Sequence, residues 1–220
     1  MNKADRIKKM KVPKVDPAHN GRLPTGQVLT ERFPILHEGD VPEYNLDDWT
    51  LKVTGKVNKE ITVTYEDIMK MPQTDVTCDI HCVTRWSRFD NTFSGVLFED
   101  FLKELGIEPE SNYVMLHGDI GYTSNIELKD LMEKDILLAH SFEGKPLTKK
   151  HGWPLRLVVP HLYFWKSVKW LRGFEFMDEN APGFWEDNGF HLRGDPFKEE
   201  RFSGEDLPIP EDEWEKKDYD

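Results

Sequence analysis

The sequence predicts an α+β fold, mostly β, in which mixed sheets carry short flanking helices. Two observations predict it. Short β-rich runs recur along the chain, punctuated by glycine and proline turns, and the strands are not regularly separated by the helices of ~10–15 residues that a doubly wound parallel sheet needs. There is also no Gly-x-Gly-x-x-Gly or phosphate-cradling glycine loop to suggest a nucleotide-binding unit.

Trp49, Leu51 and Val53 alternate with Thr50, Lys52 and Thr54, the period of a half-buried strand, which Gly55 ends. Ile61 to Thr64 is a second strand. Thr64 stands three residues before Asp67 and opens a short helix that Pro72 closes by Met71. Val76 to Cys82 reads as the next strand. Leu97, Phe98, Phe101, Leu102 and Leu105 share one face of a helix stopped by Gly106. Strands are then expected at Tyr113 to His117, Ile136 to His140, Leu155 to Val159 and Val168 to Phe176, with one short helix near Leu128 to Lys134.

A length of 220 residues suits one domain with tails. Residues 1–31 hold Pro13, Pro17, Pro24, Gly21 and Gly26 among charges and read as an extended arm; residues 32–203 form the domain; residues 204–220 form an acidic tail. The net charge of −12 argues against nucleic acid as a partner. No stretch approaches the ~18 consecutive apolar residues of a spanning helix, so no membrane partner is expected. The basic start lacks the apolar core of a secretory signal, and two cysteines imply no disulfide framework, which together lead us to expect a cytoplasmic protein.

Chemistry concentrates in two places. Cys82 lies in Asp79-Ile80-His81-Cys82-Val83-Thr84-Arg85-Trp86, where a strand runs into a loop of cations and aromatics. His81, Arg85 and Arg88 would stabilise a thiolate, as a metal ligand or nucleophile requires, while simple packing of a small buried residue is the competing reading. Cys78, on a strand face with Val76 and Ile80, fits packing, and a Cys-x-x-x-Cys pair alone is a poor zinc signature. The second place is His151-Gly152-Trp153-Pro154-Leu155-Arg156, followed by Lys166-Ser167-Val168-Lys169-Trp170. Arg156 interrupts an apolar strand and needs a partner or an anionic ligand, and Lys166, Ser167 and Lys169 add donors suited to a phosphate. Cations snorkelling from a surface strand are the plainer alternative.

Together with Phe33-Pro34-Ile35-Leu36-His37, Asp119 before Gly121-Tyr122, and Leu137-Leu138-Ala139 ahead of Gly144, these segments resemble the molybdopterin-binding domain of the sulfite oxidase family, especially its small single-domain bacterial members. The resemblance covers most of Arg32 to Phe202. It implies a sulfite-oxidase-type fold and a molybdenum–molybdopterin (Mo-MPT) cofactor, with Cys82 binding the metal as a thiolate beside the two dithiolene sulfurs. It places the pterin tail along His37, His151, Arg156 and Ser167, Val168 and Lys169, with Asp119 as a polar contact and His81 as a donor next to the ligand. Arg85 and His140 would shape the substrate pocket.

The chain departs from the family pattern where it bears on substrate. Ile35 stands where an arginine is expected, His140 where a tyrosine is, and Ser87 where a second arginine is. The expected activity is two-electron oxygen-atom transfer on a small substrate, a sulfur oxyanion among the candidates, with a separate redox protein as electron donor or acceptor. Reduction of a sulfoxide or N-oxide on the same cofactor is the alternative, and a non-catalytic cofactor carrier or interaction module is a further one. A zinc hydrolase is weakest, because no His-x-x-x-His or His-Glu-x-x-His pair occurs. The aromatic segment Phe184 to Phe197 is expected to cap the core or close over the pocket.

Overall fold

The computed structural model describes residues 19–37 and 39–203; the first part of the expected arm and the acidic tail lie outside them. Two mixed sheets make up the body. One has the order β1 (Val28–Leu29), β5 (Trp86–Leu97), β8 (Leu137–Phe142), β10 (Arg156–Val158), with β4 (Thr74–His81) also paired to β5 and β9 (Lys145–Pro146) to β8. The other runs β3 (Ile61–Thr64), β2 (Thr50–Gly55), β11 (Leu171–Met177), β6 (Tyr113–Gly118), β7 (Thr123–Glu127). β1 with β5 and β2 with β11 are parallel, and the other pairs are antiparallel.

Helix α1 (Tyr65–Lys70) forms where Thr64 and Asp67 cap each other reciprocally, as their spacing predicts. Helix α2 (Phe98–Leu105) buries Phe98, Phe101 and Leu102, and Gly106 ends it at φ 60° with its N–H on the Leu102 and Lys103 carbonyls. Phe98 and Phe101 meet Phe174 of β11 at 5.1 and 5.8 Å, and burying each such ring contributes roughly 1.5–3 kcal/mol. Helices α3 (Leu128–Leu131) and α4 (Phe184–Asp187) are single turns; α3 stops three residues short of the expected Lys134.

The first sheet is buried on both faces, which sets the position of the site. Val96, Leu138 and Leu157 face the main core with Leu51, Val53 and Phe174. Phe93, Leu137, Ala139 and Val158 face a second cluster with Ile80, Cys82, Trp86, Tyr163 and Trp165.

Two strands escape the hydrophobic pattern. β5 is interrupted by Asp90 at φ 53° within a register shift opposite Cys78 and Ile80, and by Gly95, where an added Cβ would lie 2.0 Å from the Leu138 carbonyl oxygen. β7 buries Ser124 and Asn125 because what covers them is polar, Glu186 and Lys166. The strand expected from Val168 begins only at Leu171, since Trp170 takes φ 53° and breaks the extended run. Val28 and Leu29, within the expected arm, pair with Trp86 and Ser87.

Candidate functional site

β4 and β5 are joined by the turn Cys82-Val83-Thr84-Arg85. Arg85 N–H bonds the Cys82 carbonyl at 3.0 Å and Cys82 N–H bonds the Trp86 carbonyl at 2.9 Å. Arg85 sits at φ 71°, the left-handed position that lets so short a turn match the twist of its strands. Gln27 Nε2 donates to the Cys82 carbonyl, and Val28 N–H to that of Arg85, so the N-terminal segment braces the turn. Cys82 is 8% exposed, with its Sγ 3.1 Å from Thr84 Oγ1. Around it Gln27 Oε1, Trp86 Nε1 and Tyr163 Oη are buried and have no hydrogen-bond partner among the described residues.

Arg156 projects from β10 on the Val158 side, the face that also carries Cys82. It donates to the His151 and Ser167 carbonyls at 3.0 and 2.9 Å, and its guanidinium lies 4.4 Å from the Phe164 ring centre and 5.9 Å from that of Phe33. Lys169 Nζ donates to the carbonyls of Leu36 and Lys150. Burial pushes the Arg156 pKa down to about 9, and burial with the nearby Arg156 charge pushes Lys169 down to about 7. Among the described residues neither cation bonds a carboxylate. Gly152, at φ 107°, allows them to converge: a Cβ there would lie 3.1 Å from both the Arg156 and Lys169 Cβ atoms.

His151 stacks on Phe33 with ring centres 4.2 Å apart. Its Nε2 donates to the Phe33 carbonyl while Nδ1 accepts from Thr148, and burial holds its pKa down at about 4, so the ring is neutral at pH 7. His37 meets Trp170 edge-on and donates from Nδ1 to the Gly39 carbonyl. The Asp119 carboxylate accepts from Tyr44 at 2.5 Å, and its N–H bonds the Trp170 carbonyl. His37, Asp119, His151, Arg156 and Lys169 thus surround the segment ending at Trp170.

Other expected residues face elsewhere. His81 lies on the opposite side of β4 from Cys82, bonded to Ser87 and edge-on to Phe197, because side chains alternate along the strand. His140 is the extra residue of a bulge in β8, and its ring binds Gln73 Oε1 and Ser141 Oγ instead of joining Ala139 in the cysteine cluster. Lys166 is fully buried in an ion pair with Glu186 at 2.5 Å and also donates to Asn125, so it offers nothing to a phosphate. Ser167 accepts the Val159 N–H through its hydroxyl, and Val168 packs into the main core. Gln27, Tyr163 and Arg201, which line this region with Phe33 of the Phe33–His37 segment, carry no short-range motif that marks them; only their fold neighbours do.

The chemistry of the donors fits Mo-MPT. Among the described residues no three of His, Cys, Asp and Glu converge as a metal-binding group, so the zinc alternative has no ligand set. A single cysteine suits a metal whose remaining ligands arrive with the cofactor. A buried arginine and a half-buried lysine that among the described residues bond only carbonyls suit a phosphate, and the orphaned polar atoms beside Cys82 suit a polar group set against it.

Comparisons with known proteins agree. The family model described as "Oxidoreductase molybdopterin binding domain" matches residues 38–185. The chain is 49% identical to the uncharacterized oxidoreductase YuiH of Bacillus subtilis, over 84% of this chain and 93% of that protein. It is 28% identical to mitochondrial sulfite oxidase of Drosophila melanogaster, over 73% of this chain but 32% of that protein. It is 26% identical to the protein-methionine-sulfoxide reductase catalytic subunit MsrP of Campylobacter jejuni, over 70% of this chain and 59% of that one. The sulfane dehydrogenase SoxCD of Paracoccus pantotrophus superposes with a TM-score of 0.58 at 26% identity, over 63% of this chain and 40% of its own. With the family model spanning more than half of the 220 residues, the chain is a molybdopterin-dependent enzyme of the sulfite oxidase type and belongs to the oxidoreductase molybdopterin-binding family.

Proposed function

We propose that the enzyme transfers an oxygen atom to or from a small substrate with an exchange of two electrons, Cys82 holding molybdenum and the cations Arg156 and Lys169 holding the pterin phosphate. The observation that carries the site assignment is the position of Cys82 and Arg156 on one face of one sheet, the thiol on a braced turn and the guanidinium buried without an anionic partner among the described residues. When bound, the cofactor supplies the two-electron couple for the transfer.

The chain's own residues bind and orient. Arg156 offers planar donors and Lys169 a point charge, while neutral His151 fixes Phe33 under the guanidinium. Arg85, the last residue of the cysteine turn, adds a further cation to this part of the chain. A separate redox protein would exchange electrons with the enzyme.

Reduction of a neutral oxo-substrate, a sulfoxide or N-oxide, is a second reading with its own support. Ser87 is fully buried and tied to His81, and Ile35 is an apolar side chain, so neither position offers a cation for a doubly charged oxyanion.

Molybdenum and pterin content tests the site. The parent, from a cofactor-producing host, should be near-stoichiometric; Cys82→Ser should lose activity while staying folded, and Arg156→Ala should lose pterin. Full activity in the first variant or normal pterin in the second would remove the corresponding role. Reoxidation of the reduced metal by sulfoxides, against its reduction by sulfite, separates the two directions.

A further inference from the structure

The Cys82 turn is also held from the far end of the chain. Arg201 Nη1 donates to the Val83 carbonyl at 2.7 Å, and Nη2 donates to the Thr25 carbonyl at 3.2 Å. Its guanidinium lies 4.9 Å from the ring centre of Tyr163, a neighbour of Cys82 in the second cluster. Arg201 is 8% exposed and has no hydrogen bond to a carboxylate among the described residues, and burial holds its pKa below the ordinary arginine value. A rigid fork of donors can bind carbonyls of two segments at once and fix one against the other.

The bonded carbonyl matters. Val83 and Thr84 are the central residues of the turn, so a donor on Val83 O fixes the Val83–Thr84 peptide plane. Thr84 in turn places its Oγ1 3.1 Å from Cys82 Sγ. The segment presenting Arg201 is itself tied down: Phe190 pairs with Phe202, His191 N–H bonds the Arg201 carbonyl, and Glu200 accepts from Asp195 N–H. All of it from His191 to Ser203 lies beyond the residues 38–185 that the family model matches.

We propose that Arg201 is a positioning residue that sets the direction of the Cys82 thiol by locking the Val83–Thr84 peptide from the C-terminal segment. Its consequence for the metal rests on the cofactor reading; its hold on the turn does not.

The test compares Arg201→Met and Arg201→Lys with the parent. Hydrogen exchange is followed in cofactor-free protein over residues 82–88, with helix α2 as an internal reference. Losing a charge-assisted bond to a buried carbonyl should speed exchange in the turn about ten- to a hundred-fold in the Met variant, leave the reference unchanged, and be partly reversed by Lys. In cofactor-loaded protein the thiolate-to-metal absorption should shift in the Met variant and return toward the parent in the Lys variant. Exchange in the turn equal to the parent's, or exchange rising equally in the reference helix, would overturn the proposal. If no protein in the series retains molybdenum, the cofactor reading fails and the exchange measurement alone judges Arg201.

Discussion

Arg156 and Lys169 converge across Gly152, their Cβ atoms each 3.1 Å from where a Cβ on that glycine would stand. Neither cation is neutralised by a carboxylate among the described residues, so a bound anion would relieve their mutual repulsion and hold Lys169 protonated. Gly152→Ala should therefore damage the cofactor site before the fold. At φ 107° an L-residue is strained by about 1–3 kcal/mol, and the methyl also pushes the two cations apart. The expected result is a melting temperature lowered by a few degrees with pterin content reduced several-fold. Normal pterin content in the variant would mean that the convergence is not needed for binding.

The site's two ends differ in how visible they are in the sequence. Arg156 is legible because a charge in an apolar run demands an explanation, and Cys82 because cations crowd it. Gln27 and Arg201 are not, since they act on carbonyls 55 and 118 residues away, and a donor to a distant backbone leaves no local pattern. β5 is hidden for a related reason: Asp90 and Gly95 break the alternation where its partners require a bulge and a close approach. His140 misleads because a residue's place in a motif does not reveal that the strand bulges there and sends the ring to Gln73.

Acid should destabilise the protein through its buried neutral histidines. His81 and His151 are each held down to about 4 by burial, against an ordinary value of 6.5. As pH falls below 6.5 the unfolded chain takes up protons first, and the folded chain only near 4. Stability is thus full above about 6.5 and is lost between 6.5 and 4, by on the order of 3 kcal/mol for His81 and less for the partly solvated His151. Urea unfolding of cofactor-free protein across this range should show the fall, and His81→Asn should flatten it. An unchanged slope in that variant would assign the acid sensitivity elsewhere.

Lys166 and Lys169 are three residues apart, and their variants should fail differently. Lys166→Met leaves Glu186 charged and buried, which should cost about 3–5 kcal/mol of stability. Adding Glu186→Leu should recover part of that loss, with the Ser124 and Trp165 donors still deprived of their acceptor. Pterin content per folded molecule should stay near the parent's in both. Lys169→Met should show the converse, little loss of stability in the cofactor-free protein and reduced pterin content. Equal pterin loss from the two lysine variants would contradict the division of labour between them.

His140 gives the sharpest division between a motif-based role and a structural one. Its Nε2 meets Gln73 Oε1 at 3.0 Å, and the Gln73 amide donates to the Ile68 and Met71 carbonyls at the end of helix α1. The ring therefore joins the β8 bulge to the helix terminus, and burial lowers its pKa, favouring the neutral form. Replacing it with alanine should remove one or two hydrogen bonds, about 1–2 kcal/mol, and speed exchange at the end of α1. Molybdenum content and kcat per bound metal should change little. A kcat loss of a hundred-fold or more with metal content intact would instead place the imidazole at the reacting atoms and require the bulge to rearrange in the loaded enzyme.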